Sequence, residues 1–201
     1  MQVRRIAYPA LALTLCFTSL AIAETYRVDP AHTSVLFRVR HLFTTVTGRF
    51  QIFEGKIVYD EKQPTQAKVE GAIDAASIDT NVKKRDDHLR SADFFDVEKY
   101  PQATFKSTKV EDIGGDRLRI IGDLTLHGMT RSVTLEGLYE GSGKDPWGGE
   151  RAGFSANVTI DRREFGLQWN KALETGGVLV GDKVELTLEV EAVKQVAAQA
   201  A

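Results

Sequence analysis

Four histidines, His32, His41, His88 and His127, are the side chains of this 201-residue chain with the clearest capacity for acid–base chemistry or metal binding. No two of them have the tight spacing of a metal-binding pair such as His-x-x-x-His, and no cysteine lies beside them. Each lies near the expected end of a strand or in a turn, where an imidazole commonly serves as a hydrogen-bonding bracket. The sequence therefore predicts no metal site and no cofactor.

Carboxylates near His88 offer a second kind of chemistry. Four aspartates lie between residues 86 and 96, and a histidine with a nearby carboxylate can act as acid and base. The same acids could instead cap a helix and pair with neighbouring arginines. The chain has no nucleophile elbow, phosphate loop or recognisable triad. We therefore expect no enzymatic activity, with a hydrolase or isomerase that uses His88 or His41 and a nearby aspartate as the alternative.

The first 23 residues have the organisation of a secretory signal peptide. Arg4 and Arg5 precede an apolar run that ends in the small-x-small sequence Ala-Ile-Ala at residues 21–23. A membrane anchor is the competing interpretation, but the run is short for a span and contains three hydroxyl residues. We expect cleavage after Ala23 and export to the periplasm. Cys16, the only cysteine, lies inside this segment, so the mature chain would have no disulfide and no thiol chemistry.

The charge of the mature chain is mild and well mixed. Without Arg4 and Arg5 it has 24 basic and 28 acidic residues and a net charge of −4, with no basic block. That distribution argues against nucleic acid and anionic membrane surfaces as partners. We also expect no stable insertion into a membrane.

Alternating apolar residues dominate the remainder of the chain and predict β-strands. Between Leu118 and Tyr139 two such runs flank a glycine-containing break, which indicates an antiparallel hairpin with one apolar face on each strand. The pattern recurs often enough for about eight substantial strands, joined mostly by short turns. No repeat or domain break interrupts it, so we expect one domain at residues 24–195 and a flexible tail at residues 196–201.

One segment, Thr80–Pro101, departs from the alternation. Thr80 or Asn81 could cap a helix that continues to about Arg90. Two adjacent phenylalanines follow at residues 94 and 95, and they must be buried. This helix-bearing segment is therefore expected to pack across an end or a flank of the sheet.

Smaller breaks in the pattern predict four local irregularities. Leu42–Gly48 is expected to separate two strands, and a phase shift at Gly55 indicates a β-bulge. Gly141–Gly149 is expected to be the longest loop. Arg162–Gly177 is expected to be irregular or briefly helical around Trp169.

One-sided strands can form a sandwich or a barrel, and alternation alone does not distinguish them. Long consecutive strands favour the barrel, as do the small residues in the apolar rows, including Gly71, Gly122 and Gly137. Such residues either ease strand coiling or leave room inside. The predicted fold is all-β, an eight-stranded antiparallel barrel with one helix-bearing crossover and a central apolar cavity.

A barrel of eight strands can hold one small or elongated ligand, and apolar rows facing inward require that ligand to be apolar. Burial contributes about 0.8 kcal/mol per methylene group, so about ten buried carbons would give roughly micromolar affinity before costs. His41, which closes an apolar row, is expected to lie near the head of the ligand. The residues expected to bind the ligand are Val35, Phe37, Val39, His41, Val69, Ile73, Phe105, Leu118, Ile120, Leu124, Leu126, Val133, Leu135, Phe154, Val158, Leu186 and Leu188.

Several motifs in the chain are similar to those of a known family. Asp29-x-x-His32-x-Ser34-Val35-x-Phe37 lies near the start, and Arg85-Asp86-x-His88-Leu89-Arg90-Ser91-x-Asp93-Phe94-Phe95-Asp96 lies in the middle. Gly122-x-Leu124-x-Leu126-His127-Gly128, Arg162-x-x-Phe165-Gly166 and Val180-Gly181-Asp182 follow. With these motifs the chain resembles the YceI-like lipid- and polyisoprenoid-binding proteins over nearly all of residues 29–192.

The resemblance implies an exported, lipocalin-like barrel that carries a polyisoprenoid or similar long lipid, of quinone or polyprenyl type, and that often forms a homodimer. Two other functions remain open from the residues. One is a lipid-directed hydrolase or isomerase that uses His88 or His41. The other is a non-enzymatic interaction module whose loops, especially Gly141–Gly149, recruit another envelope protein.

Overall fold

The computed structural model describes residues 23–173 and 177–196. The predicted signal peptide falls almost entirely on residues 1–22, and most of the predicted tail falls on residues 197–201, so both lie outside the described residues. Among the residues described, the single α-helix is far too short and polar to cross a membrane.

Within the described ranges the chain forms eleven strands and one α-helix, α1, which spans Lys83–Arg90. Short 3₁₀ segments lie at Pro64–Gln66, Ala75–Ser77 and Arg162–Phe165. The strands are β1 Glu24–Val28, β2 Ser34–His41, β3 Thr44–Phe50, β4 Phe53–Tyr59, β5 Lys68–Asp74, β6 Ile78–Asp79, β7 Gln102–Gly114, β8 Arg117–Leu126, β9 Met129–Lys144, β10 Glu150–Asp161 and β11 Val180–Lys194.

Eight of these strands close into an antiparallel barrel. Their order around the ring is β1-β4-β5-β7-β8-β9-β10-β11, and β11 pairs back onto β1 with Tyr26 opposite Lys194. Each strand turns alternate apolar residues inward, as Leu118, Ile120 and Gly122 do on β8. The predicted eight-stranded barrel is therefore confirmed, and a two-layer sandwich is excluded.

The other three strands form a branch that leaves the ring at β11. The C-terminal part of β11 pairs with β1, whereas its N-terminal part pairs with β2 over Glu185–Glu189. β3 then pairs with β2, and β6 pairs with the last residues of β3. The wall is therefore extended at one end of the barrel by β2, β3 and β6.

The predicted break at Leu42–Gly48 is wrong, because most of it belongs to β3. The inward positions of this strand are Val46, Gly48 and Phe50, and a Cβ on Gly48 would lie only 2.3 Å from Cζ of Phe37. The Phe37 ring fills the place of the missing side chain. A glycine at that position removes the apolar signal by which the strand would have been recognised.

The predicted β-bulge at Gly55 is also wrong. The chain breaks at Gln51–Ile52, and the strands on either side have different partners: β3 pairs with β2 and β6, whereas β4 pairs with β1 and β5. Gly55 lies in register opposite Gly71. The phase shift in the sequence therefore marks the place where the chain leaves the branch at the end of β3 and enters the ring with β4.

Three other local predictions need correction. Residues 141–144 belong to β9, which leaves a loop of residues 145–149 only. The helical turn predicted around Trp169 lies earlier, at Arg162–Phe165. Thr80 does not cap α1; instead the Asp86 carboxylate accepts hydrogen bonds from the backbone N–H and the hydroxyl of Thr80.

Candidate functional site

The interior of the barrel contains an apolar cavity of about 180 Å³. A second cavity of about 130 Å³ lies toward α1. Ile73, Ala103, Leu124 and Leu186 line both of them. The two cavities are therefore neighbouring compartments of one apolar interior, separated by these four side chains.

Sixteen of the seventeen residues predicted to bind a ligand line this interior. Phe37, Val39 and Leu126 line the second cavity only. The others line the central cavity, and three of them line both: Val35, Val69, Ile73, Phe105, Leu118, Ile120, Leu124, Val133, Leu135, Phe154, Val158, Leu186 and Leu188. Alternation in the sequence therefore identified the correct faces of the strands.

His41 is the exception, because it lines neither cavity. It lies at the end of β2, opposite Thr44 in the β2–β3 hairpin and opposite Val180 of β11. That hairpin extends beyond the end of the barrel wall. The structure therefore corrects the placement of His41 among the residues that line the interior, and its expected position near the head of a ligand stays a prediction.

The sequence left open whether the inward glycines only ease strand coiling or also leave room inside the barrel, and the structure gives different answers for different glycines. A Cβ on Gly122 would lie 2.4 Å from Cζ of Phe105, and a Cβ on Gly137 would lie 2.9 Å from Cδ1 of Ile120. At these two glycines a neighbouring side chain occupies the space where a Cβ would lie. At Gly71 the nearest atom is the carbonyl oxygen of Glu54 at 3.5 Å, so only this glycine leaves room in the cavity.

Strand β4 contributes lining residues that the sequence analysis did not include. Phe53, Ile57 and Tyr59 face the central cavity, with Gly55 between them in the same row. Their regular alternation was a sufficient signal. The assumed bulge at Gly55 obscured it, because a bulge would have placed Phe53 and Ile57 on opposite faces.

One end of the barrel, here called the tyrosine end, is filled by aromatic rings from the strands themselves. Phe154 packs against Tyr26, Tyr59 and Tyr139, with ring centroids 6.2, 5.4 and 5.5 Å away. Tyr139 donates a hydrogen bond to the Glu61 carboxylate, and burial followed by this bond raises the pKa of Tyr139 to about 12. The rings thus close the cavity while the hydroxyl groups reach the polar surface.

The opposite end, here called the helix end, is covered by residues outside the ring. Phe94, which follows α1, is buried as predicted, lines the second cavity and packs under His88 and Trp169. A hydrogen bond of 2.8 Å joins Nε2 of His88 to the Asp93 carboxylate on the outer side of this aromatic cluster. His88 lines neither cavity; it packs against Phe94, which lines the second one.

Arg162 holds the irregular segment that covers the helix end. Its buried guanidinium donates hydrogen bonds to the carbonyl oxygens of Gly181 at 2.9 Å, Trp169 at 3.0 Å and Leu167. Burial lowers the pKa of Arg162, and the Asp182 carboxylate at 3.6 Å opposes that effect. One charged side chain therefore replaces the strand hydrogen bonds that this segment lacks.

Asp29, His32 and Glu191 bring potential metal ligands within 4.8 Å of one another. Arg151 already supplies the cation at this place, since its guanidinium donates to both the Asp29 and the Glu191 carboxylates. Hydrogen bonds from Arg151 and then from His32 hold the pKa of Asp29 well below its usual range. The cluster therefore acts as an ion-pair network that fixes the entry to β2.

The prediction that histidines serve as hydrogen-bonding brackets is confirmed for three of the four. His32 bonds Asp29 at 2.8 Å, and His88 bonds Asp93. His127 bonds the carbonyl oxygen of Phe165 at 3.2 Å and packs against Tyr100. The first two bonds are local, in the connection between β1 and β2 and at the end of α1, whereas the third joins the β8–β9 turn to the 3₁₀ segment Arg162–Phe165.

The sequence profile of the YceI-like domain family matches residues 26–192. The chain belongs to this family. Protein YceI of Escherichia coli O157:H7 is 44% identical over 192 residues, which are 91% of this chain and 97% of that protein. Among solved structures, Burkholderia cenocepacia BcnA has a TM-score of 0.73 and 26% identity, and covers 82% of this chain and 98% of its own.

A polyisoprenoid binding domain from Saccharophagus degradans has a TM-score of 0.62 and 16% identity, over 87% of this chain and 99% of that domain, which establishes the shared fold. For the YceI-like chain the geometry explains what the sequence motifs do. The Asp29–His32 motif forms the network with Arg151, and the Arg162 motif holds the cover of the helix end. Both motifs position the ends of the barrel around the apolar interior.

Proposed function

We propose that the mature protein is an exported, non-enzymatic carrier that holds a polyisoprenoid or a similarly long apolar molecule, of quinone or polyprenyl type, inside the barrel. The observation that carries this proposal is the pair of adjoining apolar cavities enclosed by the closed ring. The membership of the chain in the YceI-like family and the fold shared with a polyisoprenoid binding domain support it.

The shape of the interior favours an elongated ligand. The two compartments lie along one apolar interior, and Ile73, Leu124 and Leu186 stand between them. A long chain would displace these flexible aliphatic side chains and occupy both compartments. Binding would then depend on apolar burial, which contributes about 0.8 kcal/mol per methylene group, rather than on a specific polar contact.

The direct test is native mass spectrometry of the protein purified from the periplasm of its own host, followed by solvent extraction of any bound molecule. We expect a mass increment that an apolar lipid accounts for. Apo protein that also fails to take up farnesol, solanesol or decylubiquinone from detergent solution would contradict the proposal.

Substitution of Gly71 by valine tests whether the ligand occupies the cavity. The new side chain has room, because the nearest atom to a Cβ there is 3.5 Å away, and it would protrude into the free space. We expect the protein to remain as stable as the wild type while its affinity for decylubiquinone falls roughly fifteen- to fiftyfold, since two or three carbons of ligand burial are lost.

Gly143→Val is the matched control, because a Cβ on Gly143 meets no atom within 4 Å and this glycine lies on the exposed surface of β9. Calorimetric titration of the wild type and both variants gives the comparison. Equal affinities for the Gly71 and Gly143 variants would place the ligand outside the barrel.

A further inference from the structure

The β2–β3 hairpin has an unusual tip. Its two-residue loop is Leu42–Phe43, between the paired residues His41 and Thr44. Two-residue hairpin loops favour glycine or asparagine where φ is positive, and the β8–β9 loop follows this rule at Gly128 but has a histidine, His127 with a φ of 51°, at its first position. Leu42 instead has a φ of 47°, which is strained for a large side chain. The chain therefore retains an apolar residue here against the local backbone preference.

The side chains at this tip are also exposed. Phe43 is 84% exposed, Leu42 is 37% exposed and Val178 is 49% exposed. The backbone N–H of Leu42 donates to the carbonyl oxygen of Leu179 at 3.0 Å, which brings Val178 beside the hairpin. We call Leu42, Phe43 and Val178 the apolar tip. No folding advantage accounts for it, since these side chains are mostly outside the core, and such an exception commonly marks a site of interaction.

Cationic side chains flank the apolar tip. Arg40 lies one residue before His41 and donates from Nε to the carbonyl oxygen of Leu42 at 2.8 Å. The carbonyl oxygen of Lys171 accepts from the N–H of Leu179, so this lysine lies on the adjoining segment. A cationic residue thus lies on each of two segments that adjoin the apolar tip. Apolar side chains with cationic residues beside them match the boundary between lipid acyl chains and phosphates.

The apolar tip adjoins the interior of the barrel. Val39 on β2 and Val180 on β11 line the second cavity, and each of these strands continues within a few residues to the tip. Leu42 and Val178 therefore extend the apolar lining past the helix end to the surface. A surface that binds a bilayer at this place would put the lipid next to the shortest apolar route into the barrel.

We propose that the apolar tip docks on the surface of a phospholipid bilayer, with Phe43 and Leu42 among the acyl chains and Arg40 and Lys171 against lipid phosphates. This proposal rests on the proposed carrier function and assigns the place where the ligand is exchanged. The mixed charge of the whole chain argued against an anionic surface as partner. Docking at the tip requires only local cations, because insertion of apolar side chains supplies the attraction.

The test is co-sedimentation with vesicles of phosphatidylethanolamine and phosphatidylglycerol. Phe43→Ser should lower the vesicle partition coefficient roughly tenfold or more, because it removes the exposed aromatic side chain that the bilayer would bury. Trp147→Ser is the matched control: Trp147 is 86% exposed but lies in the β9–β10 loop at the tyrosine end, so its loss should leave partitioning unchanged.

Leu42→Gly separates docking from folding. Glycine suits the positive φ at this position, so the variant should unfold at the same or higher denaturant concentration and yet partition less onto vesicles. Uptake of decylubiquinone from detergent solution should be unchanged in both tip variants. A protein that takes up no ligand at all would contradict the carrier function instead, whatever its partitioning.

Three results would overturn the docking proposal. The wild type could fail to bind vesicles, or Phe43→Ser could bind as well as the wild type. Alternatively, Phe43→Ser could convert a dimer into a monomer in gel filtration while vesicle binding stays the same, which would identify a second copy of the chain as the occupant of the tip.

Discussion

The two ends of the barrel are closed by aromatic side chains on different kinds of backbone. At the tyrosine end, Tyr26, Tyr59, Tyr139 and Phe154 all come from strands of the ring, and their positions are fixed by strand pairing. At the helix end, the Phe94–His88–Trp169 cluster comes from connections between strands.

This difference separates a permanent closure from one that can open. Displacing the backbone that carries a tyrosine at the first end would require breaking the ring, whereas the cover of the helix end can shift while the ring stays intact. Arg162 and Asn170 restrain that cover, because their side chains join the residues after Phe165 to β11. On the proposed carrier function, we therefore expect an apolar ligand to enter and leave at the helix end.

The largest effect is expected for Arg162→Met. This change leaves the buried carbonyl oxygens of Gly181, Leu167 and Trp169 without their donor and should cost about 3–5 kcal/mol of unfolding free energy, measured by urea denaturation. Arg163→Met is the control, because its half-exposed guanidinium pairs with the carboxylates of Asp161 and Asp182 and donates to none of these three carbonyl oxygens, so we expect a smaller loss of unfolding free energy. An equal loss of unfolding free energy in the two variants would contradict the structural role assigned to Arg162.

A comparison of Phe154→Ala with Phe94→Ala tests the difference between the ends directly. Phe154 lies within a rigid wall that cannot collapse around the cavity, so its loss should cost about 3–4 kcal/mol in global stability. Phe94 lies on a connection that can readjust, and we expect about 2 kcal/mol.

Native-state hydrogen exchange provides the second measurement for this pair. The Phe94 variant should accelerate exchange selectively at α1 and residues 93–100, whereas the Phe154 variant should accelerate it throughout the barrel. The same exchange pattern for both variants would mean that the two ends are equivalent.

The smallest effect is expected for Tyr139→Phe, about 1 kcal/mol at pH 7 from loss of the hydrogen bond to Glu61. Because the pKa of Tyr139 is raised to about 12 from its ordinary value of about 10, the folded state binds this proton more tightly. The contribution is therefore complete below about pH 10 and is lost as the pH rises toward 12. Urea denaturation of both proteins at neutral and alkaline pH should show the difference between them shrinking.

The faces of the strands could be predicted from the sequence because inward side chains must be apolar at every second position. That rule correctly selected residues as distant as Val35, Phe105 and Leu188. It failed where glycine occupies an inward position: Gly48 concealed β3, and Gly55 was interpreted as a bulge within one strand. The ring of Phe37, which pairs with Gly48 across the β2–β3 hairpin, occupies the space where a side chain of residue 48 would lie. The sequence of one strand alone does not show that a residue of the neighbouring strand fills such a space.

The arrangement at the ends of the barrel could not be predicted for a related reason. Nothing local to Arg162 indicates that its guanidinium bonds the carbonyl oxygens of residues as far along the chain as Gly181. His41 ends an apolar row in the sequence, yet it lines neither cavity, although Val180, its partner on β11, lines the second one. The interior followed from periodicity, whereas the ends depend on contacts between segments that are distant in sequence.

The pairing of β1 with β11 has a consequence for how the protein is made. The ring is sealed by contacts such as Tyr26 with Lys194, which join the two extremes of the domain. A nascent chain cannot form these contacts until its last strand has emerged from the ribosome. Closure of the ring is therefore post-translational, and the long-range pairing on which it depends makes it slow. The two edges of the wall remain unpaired with each other for as long as the last strand is being synthesised.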